Sequence, residues 1–295
     1  MEVLAGIILF NPDKERLLEN INAIYKQVDC LLLIENGSTN LDYIDSIKEY
    51  NNIIYINNHA SKGIAYALNQ ICGYAYTHGY KWALTLDQDS VATPGMVDVY
   101  KGIANDEIGI IGCKIEDRNY VDPQMEGYEG TFEVPWVITS ASFTNTEAWF
   151  KSGGFDNEMF IDFVDTDICY CMKKAGYKIM TTYNTKLIHE IGTGTTIKYH
   201  PIFKRLQIEN HNPTRKYYRE RNLIYIIKKY NNISKNKILK IIIKDIVAVI
   251  SYERNKLPKL RAMLKGLIDS LSMKPKYQHI NDEFLNIKAV ECKCL

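Results

Sequence analysis

Asp87-Gln88-Asp89 closes an apolar run, Trp82–Leu86. Residues i and i+2 of an extended segment share a side, so this spacing can aim two carboxylates into one crevice. Paired carboxylates at a strand end form a hard oxygen site for Mg²⁺ or Mn²⁺. Such an ion holds a diphosphate and offsets charge on a leaving group. The same residues also suit an Asx turn or a helix cap ahead of Thr93-Pro94. A second acidic group, Asp162, Asp165 and Asp167, stands at the entrance to a helical pattern that ends at Gly176. Capping the helix takes one of the three, and Asp165 is the plainest candidate for that task. Three carboxylates exceed it, and one poised carboxylate is what an attacking hydroxyl needs to lose its proton. His189, after Leu187-Ile188, is either a structural histidine or a neutral imidazole completing a metal shell beside Asp89.

The elements that must position these groups follow from periodicity. Apolar runs at Val3–Phe10, Cys30–Ile34, Ile53–Ile56 and Trp82–Leu86 read as buried strands. Leu17–Tyr25 and Ile64–Tyr76 between them have helical spacing. This β-α-β-α order predicts an α/β fold with a mostly parallel, Rossmann-like sheet flanked by helices. Ligands of such sheets bind at the carboxyl ends of the strands. Phe10-Asn11 and Asn36-Gly37-Ser38 follow the first two strands and share that rim with Asp87. There Phe10 can pack against a nucleobase and Asn36 can hydrogen-bond its edge, although Asn-Gly-Ser also suits a simple turn. The rhythm loosens after Asp117, through Pro123 and Gly127, and becomes helical and basic beyond about residue 200.

Net charge +1 conceals an asymmetry. Residues 1–197 carry 14 basic and 27 acidic side chains, whereas 198–295 carry 22 and 8. This predicts two regions, 1–200 and 201–295, with different partners. Seven cysteines, four of them in two C-x-C pairs, show neither zinc spacing nor a disulfide framework, which points to a reducing cytoplasm. The first residues form a strand-like run without signal-peptide character. No apolar stretch reaches the roughly 18 residues of a spanning helix; Ile238–Ile250 is interrupted by Lys240, Lys244 and Asp245.

Taken in order, several short segments resemble the inverting family-2 glycosyltransferases of GT-A fold, and most closely their bacterial rhamnosyltransferase branch. The resemblance runs from Val3 to about Lys276. It is carried by Ile8-Leu9-Phe10-Asn11, Glu35-Asn36-Gly37-Ser38, Gly63–Asn69 and Leu86–Ser90, then Gly154-Phe155-Asp156, Phe160–Asp167 and His189-x-x-Gly192. The resemblance implies that Ile8, Phe10, Asn36, Asn69 and Asp87 serve the nucleotide sugar. It implies that Asp89 binds a Mg²⁺ or Mn²⁺ ion directly, with Asp87 at the ribose or the ion's water shell and His189 as a further ligand. Asp165 stands where the family has its catalytic base, with Asp167 as the rival. Glu35 and Asn36 depart from the aspartates common at those positions, which loosens the identity of the nucleobase.

The reaction so implied is a single displacement with inversion. The donor is dTDP-β-L-rhamnose or, as the alternative, another hexosyl donor such as a UDP-sugar. The acceptor is a hydroxyl of a glycan or lipid-linked oligosaccharide in cell-surface polysaccharide synthesis. Arg215, Tyr217-Tyr218-Arg219 and Arg221-Asn222 also look like that branch, on the acceptor side. The basic helices invite two readings: attraction to anionic lipid at the inner face of the cell membrane, or packing on the catalytic domain or on a second copy of the chain. A sugar nucleotidyltransferase is disfavoured because Asn11-Pro12-Asp13 is no Gly-rich basic phosphate loop. A nucleic-acid binder built on the basic segment leaves the acidic half unexplained. A degenerate scaffold is at odds with the retained Asp87, Asp89, Asp165 and His189.

Overall fold

The computed structural model describes residues 1–117, 129–189, 196–230, 233–276 and 280–291, with the backbone alone at Asp117, His189, Val290 and Glu291. Pro123, Gly127, Gly192, Cys292 and Cys294 lie outside these. In chain order the elements are β1 Val3–Leu9, α1 Lys14–Ile24, β2 Cys30–Glu35, α2 Ile44–Ile47, β3 Ile53–Asn57, α3 Ile64–Thr77, β4 Trp82–Asp87 and β5 Val91–Ala92. Then come α4 Met96–Ile103, β6 Ile108–Asp117, β7 Thr131–Glu133, β8 Ser142–Asn145, α5 Thr146–Lys151, α6 Val164–Lys174 and β9 Lys178–His189. The last are β10 Thr196–His200, β11 Lys204–Ile208, α7 Pro213–Lys229, α8 Lys235–Tyr252, α9 Lys256–Ser272, α10 Asp282–Leu285 and β12 Val290–Glu291.

Contacts divide the chain into two compact units, one of residues 1–157, 164–190 and 278–295, the other of 158–163 and 191–277. The expected division at residue 200 is therefore redrawn. The final segment rejoins the first unit because β12 pairs with β3 and Phe284 of α10 packs on Tyr66 of α3.

The first unit is an α/β layer around a ten-stranded sheet of order β12-β3-β2-β1-β4-β8-β6-β9-β5, with β7 on β9. Pairing is parallel for β1 with β2 and β4, β2 with β3, and β6 with β9. β8 runs antiparallel between β4 and β6. β2 is buried at every position, as expected of a strand covered on both faces. One face carries Trp82, Leu84, Leu86, Ile111 and Phe143, with Tyr100 of α4 stacked on Phe143. The other carries Gly6, whose missing side chain makes room for Ile71 of α3.

The second unit opens on an antiparallel hairpin, β10–β11, where a helix was expected. The alternation in Thr196-Ile197-Lys198-Tyr199-His200 is the local reason. Three helices follow. Lys216 and Lys259 each reach the Glu253 carboxylate at 2.8 Å, and all three are buried. Burial opposes ionisation of Glu253, yet the two ammonium groups hold its carboxyl below the usual range. Arg219 pairs with Asp245 at 2.7 Å. Glu220, on the same helix, is fully buried, and neither of its oxygens has a hydrogen-bond partner.

Burial, and next the charge of Asp245, pushes the Glu220 carboxyl from 4.5 up to about 8 against the pull of Arg219 and Lys216. The folded state thus holds a proton that the unfolded chain releases near pH 4.5, so stability is lost as pH rises from there to about 8. In Glu220→Gln that loss disappears. The variant should gain on the parent by about 1–3 kcal/mol between pH 5 and pH 8.5 in chemical denaturation. A stability difference that stays constant with pH contradicts this assignment.

Among the described residues no helix is long and apolar enough to cross a membrane. The five described cysteines are free thiols.

Candidate functional site

Because β1 to β4 run parallel, their carboxyl ends open on one edge of the sheet, with Leu9, Glu35, Asn57 and Asp87 as last residues. Ile8 lies in register with Ile34 on one side and Asp87 on the other. Ile8 and Asp87 are the half-buried positions of otherwise buried strands. As register partners they point to one face, the face of α3, since Gly6 pairs with Thr85 two residues earlier. Phe10 follows, 51% exposed.

The middle residue of Asp87-Gln88-Asp89 holds this corner together. The Phe10 N–H donates to Gln88 Oε1 at 2.8 Å, and Gln88 Nε2 donates to the Phe10 carbonyl at 3.2 Å. Asn20 Nδ2 donates to the Asp87 carbonyl at 2.7 Å, and the Asp87 N–H donates to Ser140 Oγ at 3.2 Å. The main chain at Asp87 is thus fixed from both sides. The expectation that Asp87 and Asp89 alternate along one extended segment needs correction. The strand ends at Asp87, and Gln88-Asp89 form a turn closed by Ser90 N–H on the Asp87 carbonyl at 3.2 Å. It is this turn that presents Asp89. The bracing roles of Gln88 and Ser140 have no signature in the sequence; Asn20 has one, as an amide on the buried stripe Leu17-Asn20-Ile21-Ile24 of α1.

Neighbouring loops are sewn to the same corner. Asn11 (φ 47°) donates its N–H to Ser38 Oγ at 2.7 Å and accepts the Thr39 N–H at 2.8 Å. Glu35, the departure from the commoner Asp, is buried and accepts from the Ser38 N–H, the Ser38 hydroxyl and the Tyr43 hydroxyl. Burial first, and Glu35 second, raise the Tyr43 hydroxyl far above its ordinary range. Gly37 has φ 95°, and a side chain there strikes Ser61 and Ala60 of the loop after β3.

Two residues expected at the nucleotide, Asn36 and Asn69, have protein partners. Asn36 accepts from Asn58 Nδ2 at 3.2 Å and the Lys62 N–H at 3.1 Å, and donates to the Gly63 carbonyl at 3.3 Å. Asn69 accepts from Trp149 Nε1 (2.9 Å) and the Phe155 N–H (2.8 Å), and donates to the Phe155 carbonyl (2.8 Å) and Asn157 Oδ1 (3.0 Å). Both are buried braces in this structure, Asn69 for the Gly154-Phe155-Asp156 loop. Buried amides must be paired, and protein partners reach these first.

β6 and β9 run in the direction of β4, so their carboxyl ends reach the same edge. β9 ends at His189, and its antiparallel pairing with β5 (Val91 with Ile188) brings the His189 backbone to the level of Ser90, one residue past Asp89. The His189 side chain lies outside the described residues.

Helix α6 runs antiparallel to β6. Met172 covers Gly109, Cys169 Sγ donates to the Val137 carbonyl at 3.9 Å, and Val137 covers Gly112. Gly112 faces away from the Ile111–Phe143–Leu84 layer, so α6 lies on the face to which Asp87 points. The first turn of α6 is thereby carried to the edge where β4 ends. Asp165 lies inside that turn, after Val164, rather than capping it. It is half-buried and accepts the Thr166 N–H at 2.7 Å, whereas Asp167 is 1% exposed.

Asp162 has an ion-pair partner of its own. It belongs to the second unit, where Arg215 grips its carboxylate at 3.1 Å. Asn222 Nδ2 donates to the Met159, Ile161 and Asp162 carbonyls at 2.8, 2.8 and 3.1 Å. That grip holds a segment in which Phe160, Asp162 and Phe163 all have φ above 60°. Arg215 and Asn222 therefore shape the loop 158–163.

Among the described residues no three His, Cys, Asp or Glu side chains cluster as metal ligands. Two half-buried carboxylates nonetheless fit a hard divalent cation, because Mg²⁺-type sites take one or two carboxylates and complete their shell with phosphate and water.

The sequence profile of glycosyl transferase family 2 matches residues 5–173. A dTDP-rhamnosyl transferase of Shigella flexneri, RfbF, is 23% identical over 302 residues, covering 91% of this chain and 95% of that protein. Among solved structures, S. aureus TarS 1–349 in complex with UDP-GlcNAc superposes with a TM-score of 0.56 at 14% identity, over 92% of this chain and 81% of its own. GalNAc-T7 with UDP, GalNAc and Mn²⁺ gives a TM-score of 0.57 at 12% identity over 78% of this chain. The match spans 48% of the GalNAc-T7 chain, about half its length. Likeness at these identities is likeness of fold. With the profile covering more than half of the sequence and the sheet shared with such neighbours, this chain belongs to glycosyl transferase family 2 and is a glycosyltransferase of GT-A fold.

Proposed function

We propose that the enzyme transfers L-rhamnose from dTDP-β-L-rhamnose to a hydroxyl of a glycan or lipid-linked acceptor, with inversion, in the synthesis of a cytoplasmically assembled surface polysaccharide. The observation that carries this reading is the edge of the sheet where Ile8, Phe10, Asp87 and the Asp89 turn open beside the first turn of α6. End-to-end similarity to a dTDP-rhamnosyl transferase supports the choice of sugar.

In this reading the exposed Phe10 ring packs on the base and Ile8 borders the nucleoside. Asp87 and Asp89, with His189, would hold a Mg²⁺ or Mn²⁺ ion, whose contribution is to offset charge on the departing diphosphate. Asp165 accepts the acceptor's proton as its oxygen closes on the anomeric carbon from the face opposite the diphosphate. A carboxylate suffices, because the hydroxyl becomes acidic only as the bond forms. Asp165 is preferred to Asp167 because it is open to a substrate. UDP-sugars are the alternative donors, as TarS binds UDP-GlcNAc.

A thermal-shift screen of sugar nucleotides with and without Mn²⁺ tests the proposal. Stabilisation should be largest for dTDP-rhamnose with Mn²⁺, about 2–3 kcal/mol at a hundredfold excess over Kd. Stabilisation by UDP-sugars alone overturns the rhamnosyl assignment.

A further inference from the structure

In the second unit the β10–β11 hairpin and α8 form one continuous surface. Leu206 and Ile208, with Phe203, pack on Ala248 and Val247, and the Tyr252 hydroxyl donates to the Tyr199 carbonyl at 2.7 Å. What faces outward is apolar. Tyr199 is 74% exposed and Ile202, at the hairpin tip, 78%; Leu239, Ile243 and Ile250 stand open along α8. Around them Lys198, Lys204, Arg205, Lys235, Lys237 and Lys240 are exposed. Residues 196–252 contain only three acids, Glu209, Glu220 and Asp245, and none is exposed. Arg219 and His211 engage Glu209, and Arg219 engages Asp245.

Between hairpin and helices lies a groove of about 290 Å³. Ile197, Leu206 and Ile241 give it apolar walls, Gln207 and the Arg219–Asp245 ion pair line it too, and Arg205 and Lys244 add two further cations. A cationic lip over an apolar wall matches a phosphate joined to hydrocarbon.

We infer that this face docks on an anionic phospholipid surface, with Tyr199 and Ile202 entering the headgroup layer and a lipid phosphate held between Arg205 and Lys244. Buried apolar area and cation attraction act together in such binding. A second copy of the chain fits worse, since pairing this face with itself brings like charges together with no exposed acid to offset them. Nucleic acid leaves the exposed aliphatic side chains without a role. The inference is independent of the donor assignment.

The test uses the full chain, because truncation near residue 200 also removes α10 and β12 from the first unit. Co-sedimentation is measured with vesicles of phosphatidylglycerol and phosphatidylcholine and with phosphatidylcholine alone, without sugar nucleotide. Binding should require the anionic lipid. It should fall about fivefold for each cation removed in Arg205→Gln and Lys244→Gln, and fall again in Ile202→Asp, with unchanged melting temperatures. Equal binding to neutral vesicles, or undiminished binding by the three variants, overturns the inference. So does a dimer in light scattering that Ile202→Asp dissociates, or displacement from vesicles by an oligonucleotide at low concentration.

Discussion

Asp165→Asn is expected to bind the sugar nucleotide as the parent does and to lose turnover by about 10²–10⁴-fold, the usual range for removing a general base. Asn keeps the shape of the side chain and an Oδ1 to accept the Thr166 N–H, now at 2.7 Å. Removing a negative charge from the first turn of α6 costs only about 0.3–1 kcal/mol of helix-dipole stabilisation. The defect should therefore fall on kcat, with KM for the donor nearly unchanged. Asp167→Asn separates the two candidates. Asp167 is buried, so its replacement should lower the melting temperature and leave the turnover of the folded fraction near that of the parent. Normal turnover by Asp165→Asn would move the base elsewhere in the site.

The second large effect concerns Asp89. The Asp87 main chain is fixed by Asn20 and Ser140, and Gln88 is bound to Phe10, so the turn carrying Asp89 sits on a prepared frame. Asp89→Ala removes a hard oxygen ligand and leaves that frame in place. The Mn²⁺-dependent part of donor stabilisation should vanish, and kcat/KM should fall by about 10³-fold or more, since charge stabilisation by a cation is worth several kcal/mol. Circular dichroism without ligand should match the parent. If Asp89→Ala keeps the full Mn²⁺-dependent shift in calorimetry, the cation is held by other residues.

The edge of the sheet where the donor site is proposed is legible in the sequence because strand ends are local events. The apolar runs ending at Phe10, Ile34, Ile56 and Leu86 lie within one residue of the strand ends Leu9, Glu35, Asn57 and Asp87, and parallel order then aligns those ends by topology. The direction of a side chain is not local. Asn36, in the loop after β2, and Asn69, within α3, both carry amides able to bind a ligand. Whether they face a ligand or the protein depends on Asn58, Lys62, Trp149 and Phe155, brought near only by folding. The Gln88–Phe10 clamp spans 78 residues of sequence and has no periodic signature. Arg215 and Asn222 read as acceptor-side residues; the structure shows them holding the loop 158–163. The β10–β11 hairpin was hidden by the high basic charge around it, although its alternation of apolar and polar residues was in plain view.

Amide hydrogen exchange with and without dTDP-rhamnose and Mn²⁺ puts the whole arrangement to the test at once. Peptides covering the Phe10–Asp13 loop, the turn after Asp87 and the first turn of α6 should all slow together on ligand addition. The opposite edge, around Gly79–Lys81 and Asn105–Glu107, should exchange as before. Protection confined to that opposite edge, or to the second unit alone, would contradict a donor site at the carboxyl ends of the strands.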